Sequence, residues 1–242
     1  MKMTDHPRNL TGFRSLARAA GAAVILIGGL VLAGWAFDLA VLKSLSPGLT
    51  AMNPGGTALA FVLAGVSLWA QASAGATPRR RAVGIACAAG VLLIGLARLG
   101  GYLSGWDGGP DQLLFRAALE REAVRVGLTN RMAPNVAAAF VLVGLALTLL
   151  DVRTRRRGVR PAQLLALAAG LIALLALIGY VYSATSLMGV KRFNPMALNT
   201  AIALAILTVG ILCARPDRGV MRSSAATAPA GSWRVGCCPR RS

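Results

Sequence analysis

Apolar residues fill six stretches of the chain, and short polar or charged segments separate them. A helix needs roughly 20 apolar residues to cross the hydrocarbon of a bilayer, which is about 30 Å thick. The pattern therefore predicts six transmembrane helices, at approximately residues 20–42, 56–75, 82–103, 134–150, 161–183 and 195–213. The fold class that follows is an all-α integral membrane protein.

The same boundaries divide the chain into three parts. They are a basic N-terminal tail (1–19), a six-helix membrane domain (20–214) and a C-terminal tail (215–242). We expect the C-terminal tail to be disordered because it is rich in Ala, Ser, Gly, Pro and Arg and has no apolar periodicity.

The longest loop of the membrane domain, residues 104–131, contains a predicted amphipathic helix. Phe115, Leu119, Ala123 and Val126 fall on one helical face, and Asp111 is in position for an N-cap. Two interpretations of this loop are open. It is either a lid that senses a ligand or a passive plug over the outer helix ends.

Charge excludes a soluble fold and indicates an orientation. The chain has 26 Lys and Arg against 8 Asp and Glu, a net charge of +18, while 56% of its 242 residues are apolar and 14% are charged. A soluble domain usually has about a quarter of its residues charged. Most basic residues lie in the two tails and in the connections around Arg80 and Arg156. Because basic loops face the cytoplasm, we expect a multi-pass protein of the bacterial inner membrane with both termini cytoplasmic.

The basic segments also bear on the partners of the protein. Lys and Arg next to transmembrane helices attract anionic lipid head groups, so we expect anionic lipids on the cytoplasmic side of the bilayer as partners. Nucleic acid is not an expected partner, since the basic excess is accounted for by topology. A homodimer is the other partner that the sequence leaves open.

Residues that usually carry catalysis or hold cofactors are scarce. The one histidine, His6, precedes the first helix, and the four cysteines match no metal-binding spacing. There is no glycine-rich phosphate loop, no pair of carboxylates within an apolar stretch and no mid-span lysine for a Schiff base. The sequence therefore predicts no catalytic residue, no metal, no cofactor and no enzymatic activity.

A similar segment opens the second, fourth and sixth predicted helices. The three copies are Met52-Asn-Pro-Gly-Gly-Thr-Ala-Leu-Ala-Phe61, Met132-Ala-Pro-Asn-Val-Ala-Ala-Ala-Phe140 and Met196-Ala-Leu-Asn-Thr-Ala-Ile-Ala-Leu204. Pro favours a helix start, Asn or Thr can cap it, and small residues let helices approach closely. The alternative is a favourable helix start that arose more than once. We favour duplication, which predicts three tandem hairpin repeats in a pseudo-threefold bundle, with the repeat motif at Met52, Pro54, Thr57, Met132, Pro134, Asn135, Met196, Asn199 and Thr200.

The odd-numbered helices share a weaker pattern near their ends. Gly34-Trp35, Gly101-Tyr102 and Gly179-Tyr180 each precede a loop that leads into the motif, and we interpret the tyrosines as aromatics of the membrane interface. Two ionisable residues, Asp38 and Arg98, lie within apolar stretches, where a charge is costly unless it is paired or hydrated. They either pair with each other or reach the interface separately.

The motif and one loop resemble a known group of proteins. The loop reads Gly105-Trp-Asp107-Gly-Gly-Pro-Asp111-Gln-Leu-Leu-Phe115, with Asp107, Asp111 and Phe115 as its motif residues. Together they resemble the N-terminal multi-helix membrane region of bacterial sensor proteins, which continue into PAS, histidine-kinase or GGDEF modules. The first copy departs from the pattern by one extra residue and by Gly56 in place of Asn, and the second by Val136 in place of Thr.

The resemblance implies a membrane-embedded sensory input module of a bacterial signal-transduction protein. It also implies that the chain stops before a cytoplasmic output domain, because those proteins are longer. The alternative function is a small stand-alone membrane carrier or a structural membrane protein. A carrier requires polar groups near the middle of the bilayer, whereas this sequence places its polar residues at the outer ends of the helices.

Overall fold

The computed structural model describes residues 7–44, 50–73, 75, 77–105, 109, 112, 114–127, 129–152, 160–182 and 195–215. Within these ranges the chain is helical and contains no strand. The helices are α1 (Pro7–Ala36), α2 (Ala40–Ser44), α3 (Leu59–Ala72), α4 (Pro78–Ser104), α5 (Arg116–Val126), α6 (Pro134–Thr148), α7 (Pro161–Val181) and α8 (Leu198–Cys213). A π-helical turn, Pro54–Ala58, runs directly into α3.

Four helical segments are long and apolar enough to cross a membrane, which indicates a membrane protein. They are Gly12–Ala36, Pro54–Ala72, Pro78–Ser104 and Pro161–Val181. The other two predicted spans correspond to α6 and α8, which are apolar but have only 15 and 16 residues. The prediction of an all-helical fold is therefore confirmed for the described residues, and four of the six predicted spans have the length and apolar character of membrane-spanning helices.

The helices pack as three neighbouring pairs. We name them the first hairpin (α1 and α3), the second hairpin (α4 and α6) and the third hairpin (α7 and α8). Consecutive hairpins are joined by contacts of α3 with α4 and of α6 with α7, and α8 packs back against α1. Because α3, α6 and α8 also contact one another, these three are the inner helices and α1, α4 and α7 the outer ones.

Burial separates inner from outer helices in the same way. In the most apolar stretch of Pro54–Ala72, 72% of the residues are buried. In the corresponding stretches of Pro78–Ser104 and Pro161–Val181, 28% are buried. The outer helices expose large apolar side chains, among them Leu26, Leu93 and Leu171. A continuous apolar exterior of this kind suits contact with lipid chains.

Inner and outer helices touch closely where both lack bulky side chains. A Cβ added at Gly65 of α3 would lie 2.6 Å from the carbonyl oxygen of Gly21 in α1. A Cβ added at Gly144 of α6 would lie 2.7 Å from the backbone nitrogen of Leu92 in α4. Real Cβ contacts are never this short, so any larger residue would push the two helices of its hairpin apart.

The extra residue of the first motif copy is absorbed by the π-helical turn. The amide of Ala58 donates to the carbonyl of Asn53 at 3.0 Å, five residues back instead of the four of an α-helix. One additional residue therefore fits into the turn without changing which residues of α3 face inward. Phe61 thus meets Phe140, its counterpart in the second copy, edge-to-face at 4.9 Å between ring centroids.

One of the two predicted tails differs from the structure, and the other lies almost entirely outside the described residues. α1 begins at Pro7, so most of the predicted N-terminal tail (1–19) continues the first helix. Apart from Arg215, the C-terminal tail lies outside the described residues.

The predicted helix of loop 104–131 is present as α5. Phe115 directly precedes α5 with a left-handed backbone (φ 58°), and Leu119 is buried against the bundle. Asp107 and Asp111 lie outside the described residues, but α5 begins at Arg116 with Phe115 in the N-cap position, so the prediction of Asp111 as the N-cap is wrong.

Candidate functional site

The three motif copies meet at one end of the bundle, which we call the motif end. Met52, Met132 and Met196 are all buried there, and they border a small cavity of about 20 Å³. Thr57 and Thr200 line the same cavity together with Val136. A cavity of this size has room for about one water molecule. The fold thus brings together the corresponding positions of three segments that are far apart in sequence.

Each outer helix holds the motif of its own hairpin through one aromatic side chain. Trp35 Nε1 donates to the carbonyl of Met52 at 2.9 Å, and Tyr180 donates its hydroxyl to the carbonyl of Met196 at 2.6 Å. Tyr102 donates in the same way to the carbonyl of Met132. We call Trp35, Tyr102 and Tyr180 the aromatic anchors. They satisfy buried backbone acceptors that precede the inner helices, a role that the interpretation as interface aromatics did not include.

Asparagine side chains connect the hairpins to one another at the motif end. Asn53 Nδ2 donates to the carbonyl of Asn130 at 2.9 Å, and Asn130 Nδ2 donates to the carbonyl of Ala51 at 3.2 Å. These two bonds join the first hairpin to the segment that enters α6. Asn199 Nδ2 of the third hairpin donates to the carbonyl of Lys43 at 3.2 Å, which joins α8 to the first hairpin.

The asparagines also accept hydrogen bonds at the helix starts. Asn53 Oδ1 accepts from the amide of Gly56 at 2.8 Å and caps the π-helical turn. Asn199 Oδ1 accepts from the amide of Thr200 at 3.0 Å. One side chain thus orders its own helix start and contacts a neighbouring hairpin, which explains why an amide suits these positions.

Among the described residues, a cation lies over the ring face of two of the three aromatic anchors. Arg98 is 1% exposed, its Cζ lies 4.3 Å from the Tyr102 ring centroid, and its Nη2 donates to the Tyr102 hydroxyl at 3.1 Å. Lys43 is also buried, and its Nζ lies 4.5 Å from the Trp35 ring centroid. Cation–π contacts of this kind gain strength where water is excluded.

The predicted pairing of Asp38 with Arg98 is not the pairing that the structure gives. The Asp38 carboxylate accepts from Lys43 Nζ, whereas Arg98 contacts Tyr102. Asp38 lies in the turn after α1 with a 78% exposed side chain, while Arg98 faces the bundle interior from α4. The other interpretation, that each residue reaches the interface separately, agrees with the exposed Asp38 but not with the buried Arg98.

An apolar layer separates the motif end from the opposite end of the inner helices. Phe61, Phe140 and Leu204 occupy corresponding positions of the three copies and are fully buried. Val143 and Leu207 extend the layer by about one turn towards the far end. The described part of the bundle therefore has no continuous polar path along its centre.

The opposite end, which we call the basic end, is held by ion pairs. Asp151 follows α6 and accepts from Arg81 of α4 at 3.0 Å and from Arg215 after α8 at 2.9 Å. Arg215 Nη1 also donates to the carbonyl of Gln71 in α3 at 3.1 Å. Arg215 therefore links the end of α8 to both other inner helices.

The described residues at the two ends of the bundle do not form the residue set of a metal centre. Among the described residues, no group of three or more His, Cys, Asp or Glu side chains is placed to hold a metal ion. The lining of the motif-end cavity consists of neutral side chains and Arg131. No protein-family model, curated protein or solved structure matches the chain.

Proposed function

We propose that this chain is a membrane-embedded sensory input module of a bacterial signal-transduction protein. Its six apolar helices would all cross the bilayer as three hairpin repeats around a pseudo-threefold axis. The closed ring of hairpins and the one aromatic anchor in each support this arrangement. The module receives its cue at the motif end and passes it on where α8 leaves the bundle.

The spacing of small residues on the outer helices supports the repeat. Seven and fourteen residues before each aromatic anchor stands a Gly or Ala that is buried: Gly28 and Gly21 before Trp35, Gly95 and Ala88 before Tyr102, and Ala173 and Ala166 before Tyr180. A spacing of seven residues places both positions on the anchor's face of the helix. Each outer helix therefore packs on its inner partner along a comparable seam.

The observation that carries the sensory function is that α8 is attached at both ends. At the motif end Asn199 is bonded to the Lys43 carbonyl of the first hairpin. At the basic end Arg215 is bonded to Asp151 and to the carbonyl of Gln71. A rearrangement of the motif end therefore changes the position from which the chain leaves the bundle. No reacting group takes part in this mechanism, and the module is proposed to have no catalytic activity of its own.

The apolar layer argues against the carrier as the alternative function. A carrier needs a polar site near the middle of the bilayer and a route from it to each side. Here the middle is filled by Phe61, Phe140 and Leu204. Thr208, the next hydroxyl group on α8 on the side of this layer away from the motif end, donates to the carbonyl of Ala205 in its own helix.

We propose that the basic end faces the cytoplasm and its anionic lipids. Alkaline phosphatase fused near Gly109 or Val190 should be active, and fusions near Arg80 or Arg156 should be inactive. The reverse pattern would contradict the orientation, and an active fusion at only one of the two outer positions would contradict six spans.

Coupling between the two ends can be measured with spin labels. The labels are placed at Ser73→Cys on the end of α3 and Val209→Cys on α8, after replacement of the native cysteines. Asn199→Leu and Tyr180→Phe should shift or broaden the measured distance, because both variants loosen α8 at the motif end. Thr208→Val is the matched control, since its hydroxyl bonds only within α8. An unchanged distance in both motif-end variants would contradict the mechanism.

A further inference from the structure

A cleft opens at the basic end between the ends of several helices. It has a volume of about 260 Å³ and is lined by Arg14 of α1, Arg81 of α4, Asp151 and Arg215, together with Gln71 and Ser73 at the end of α3. A single water molecule needs about 10–15 Å³ by the same measure. The cleft therefore has room for a polar group of several non-hydrogen atoms.

The charges around the cleft favour an anion. Three arginines face one carboxylate, so the lining has a net positive charge even with Asp151 ionised. Arg81 contacts Asp151 through Nη2 and keeps further N–H donors on a side chain that is 58% exposed. Planar guanidinium groups with several donors match the geometry of a phosphate group.

A tryptophan indicates the depth of the cleft in the membrane. Trp69 lies one turn before Ser73 on α3, is 38% exposed, and has the guanidinium carbons of Arg18 and Arg80 5.6 and 5.9 Å from its ring centroid. Tryptophan is enriched at the level of the lipid head groups, where its ring has both apolar and polar surroundings. The neighbouring cleft therefore lies at head-group level and beside the lipid-facing side of α3.

We infer that this cleft is a binding site for the phosphate group of an anionic phospholipid. The phosphate binds Arg14 and Arg81 and competes with the Asp151 carboxylate for the arginines. This inference rests on the proposed function in one respect: lipid bound at the Arg81–Asp151–Arg215 ion pairs regulates the point where α8 leaves the bundle. Binding itself requires only the cleft and a membrane at that depth.

Native mass spectrometry of the full chain in detergent provides the test, with phosphatidylglycerol added as the lipid. One phosphatidylglycerol should bind per chain, and Arg81→Gln and Arg14→Gln should each weaken binding about 10-fold, as expected for loss of a charge-assisted hydrogen bond. Arg81→Lys keeps the charge but not the fork of donors, and its loss should be intermediate. Arg79→Gln is the matched control, because it removes the same charge from the same helix turn outside the cleft.

The Asp151→Asn variant separates a specific effect on the cleft from a general loss of structure, because a loss of structure can only weaken binding. It removes the competing carboxylate, so binding of phosphatidylglycerol should become stronger. Weaker binding in Asp151→Asn, or an equal loss in Arg79→Gln and Arg81→Gln, would overturn the site. Stoichiometric binding of phosphatidylcholine at the same strength would also overturn it.

Competition with inorganic phosphate shows whether the cleft binds the phosphate group of a lipid or free phosphate. Added at millimolar concentration, it should not displace phosphatidylglycerol, because the lipid is also held by its chains beside Trp69. Displacement that depends on Arg81 would overturn the lipid as the ligand. None of these binding measurements uses the spin-label distances, so a failed lipid site and a failed coupling mechanism give separate results.

Discussion

The first and second hairpins make the same type of anchor contact, from an aromatic side chain to the carbonyl of the motif methionine, with different local structures. In the first hairpin Trp35 holds Met52, the cation on its ring comes from Lys43 of α2, and a π-helical turn starts the inner helix. In the second hairpin Tyr102 holds Met132, the cation comes from Arg98 of α4 itself, and the inner helix starts as a regular α-helix. The difference shows that the fold requires a particular contact and accepts several local sequences that produce it.

The two cations also differ in their surroundings. Lys43 is held by Asp38, whose side chain lies mostly in water, whereas Arg98 is enclosed by the bundle and bonded to the Tyr102 hydroxyl. Ion pairs at the surface are weakened by salt, and buried contacts are affected much less. The first anchor should therefore respond to ionic strength and the second should not.

Deleting one residue at an inner helix start should have the largest effect. Removing Ala138 from α6 rotates Met132 relative to Phe140 by about 100°, so the second anchor is lost and the protein should fail to fold. Removing Gly55 instead converts the π-helical turn into an α-helical one and keeps Phe61 in place. Thermal unfolding in detergent should show a folded Gly55 deletion with a midpoint close to that of the original chain. Equal loss of fold in both deletions would contradict the role of the π-helical turn.

Tyr102→Phe should destabilise the protein by about 2–4 kcal/mol, since it removes one neutral and one charge-assisted hydrogen bond. Tyr180→Phe is the same substitution in the third hairpin and removes only the bond to Met196, which predicts a loss of about 1 kcal/mol. Denaturant unfolding in mixed micelles measures both free energies. An equal loss of unfolding free energy in the two variants would mean that the hydrogen bond from Arg98 to the Tyr102 hydroxyl does not contribute to stability.

Lys43→Met should cost about 1–2 kcal/mol, mainly through loss of the cation–π contact with Trp35. The methionine keeps most of the apolar length of the lysine, and the exposed Asp38 is left to water. The same unfolding experiment measures the loss. An unchanged stability would show that the Trp35 ring does not need a cation.

Asp38→Asn should have the smallest effect, about 0–1 kcal/mol, because the ion pair with Lys43 is open to solvent on the Asp38 side. The informative measurement is the response to salt. Raising the concentration of NaCl should lower the stability of the original chain slightly more than that of Asp38→Asn, because the ion pairs of Asp151 respond to salt in both chains. An equal salt response in the two chains would show that the Asp38–Lys43 ion pair contributes none of it.

The sequence predicts a helix start well where a proline marks it and the apolar stretch begins at the same residue. Pro134 and Pro161 begin both the predicted spans and the helices α6 and α7, whereas the spans predicted from residues 20 and 82 begin earlier in the structure, at Pro7 and Pro78. The meeting of the motif copies also agrees with the prediction from the sequence, since three hairpins of the same orientation place the starts of their second helices at the same end. The predicted spans 134–150 and 195–213 were too long because apolar residues such as Leu149 and Ala197 flank the helices without belonging to them.

The contacts of the site were harder to predict. The partners of Trp35, Tyr102 and Tyr180 are backbone carbonyls, which every residue has, so no sequence signal distinguishes the carbonyl of Met52 from its neighbours. Asp38 appeared to need a distant partner because it lies in an apolar stretch. In the structure the chain turns at Asp38 and returns Lys43 to it five residues later.

Inner and outer helices differ in length, and a bilayer acts on that difference. α6 and α8 have 15 and 16 residues, about 22–24 Å at the rise of an α-helix, whereas α1 and α4 have 30 and 27. The outer helices carry most of the exposed leucines, and helices of this length are expected to adjust to bilayer thickness by tilting. Each outer helix is hydrogen-bonded to the start of its inner partner through a single carbonyl. In a bilayer, stretching or thinning the membrane is therefore expected to shear the two layers against each other, and the hydrogen bonds of Trp35, Tyr102 and Tyr180 resist that shear together with the close glycine contacts of each hairpin.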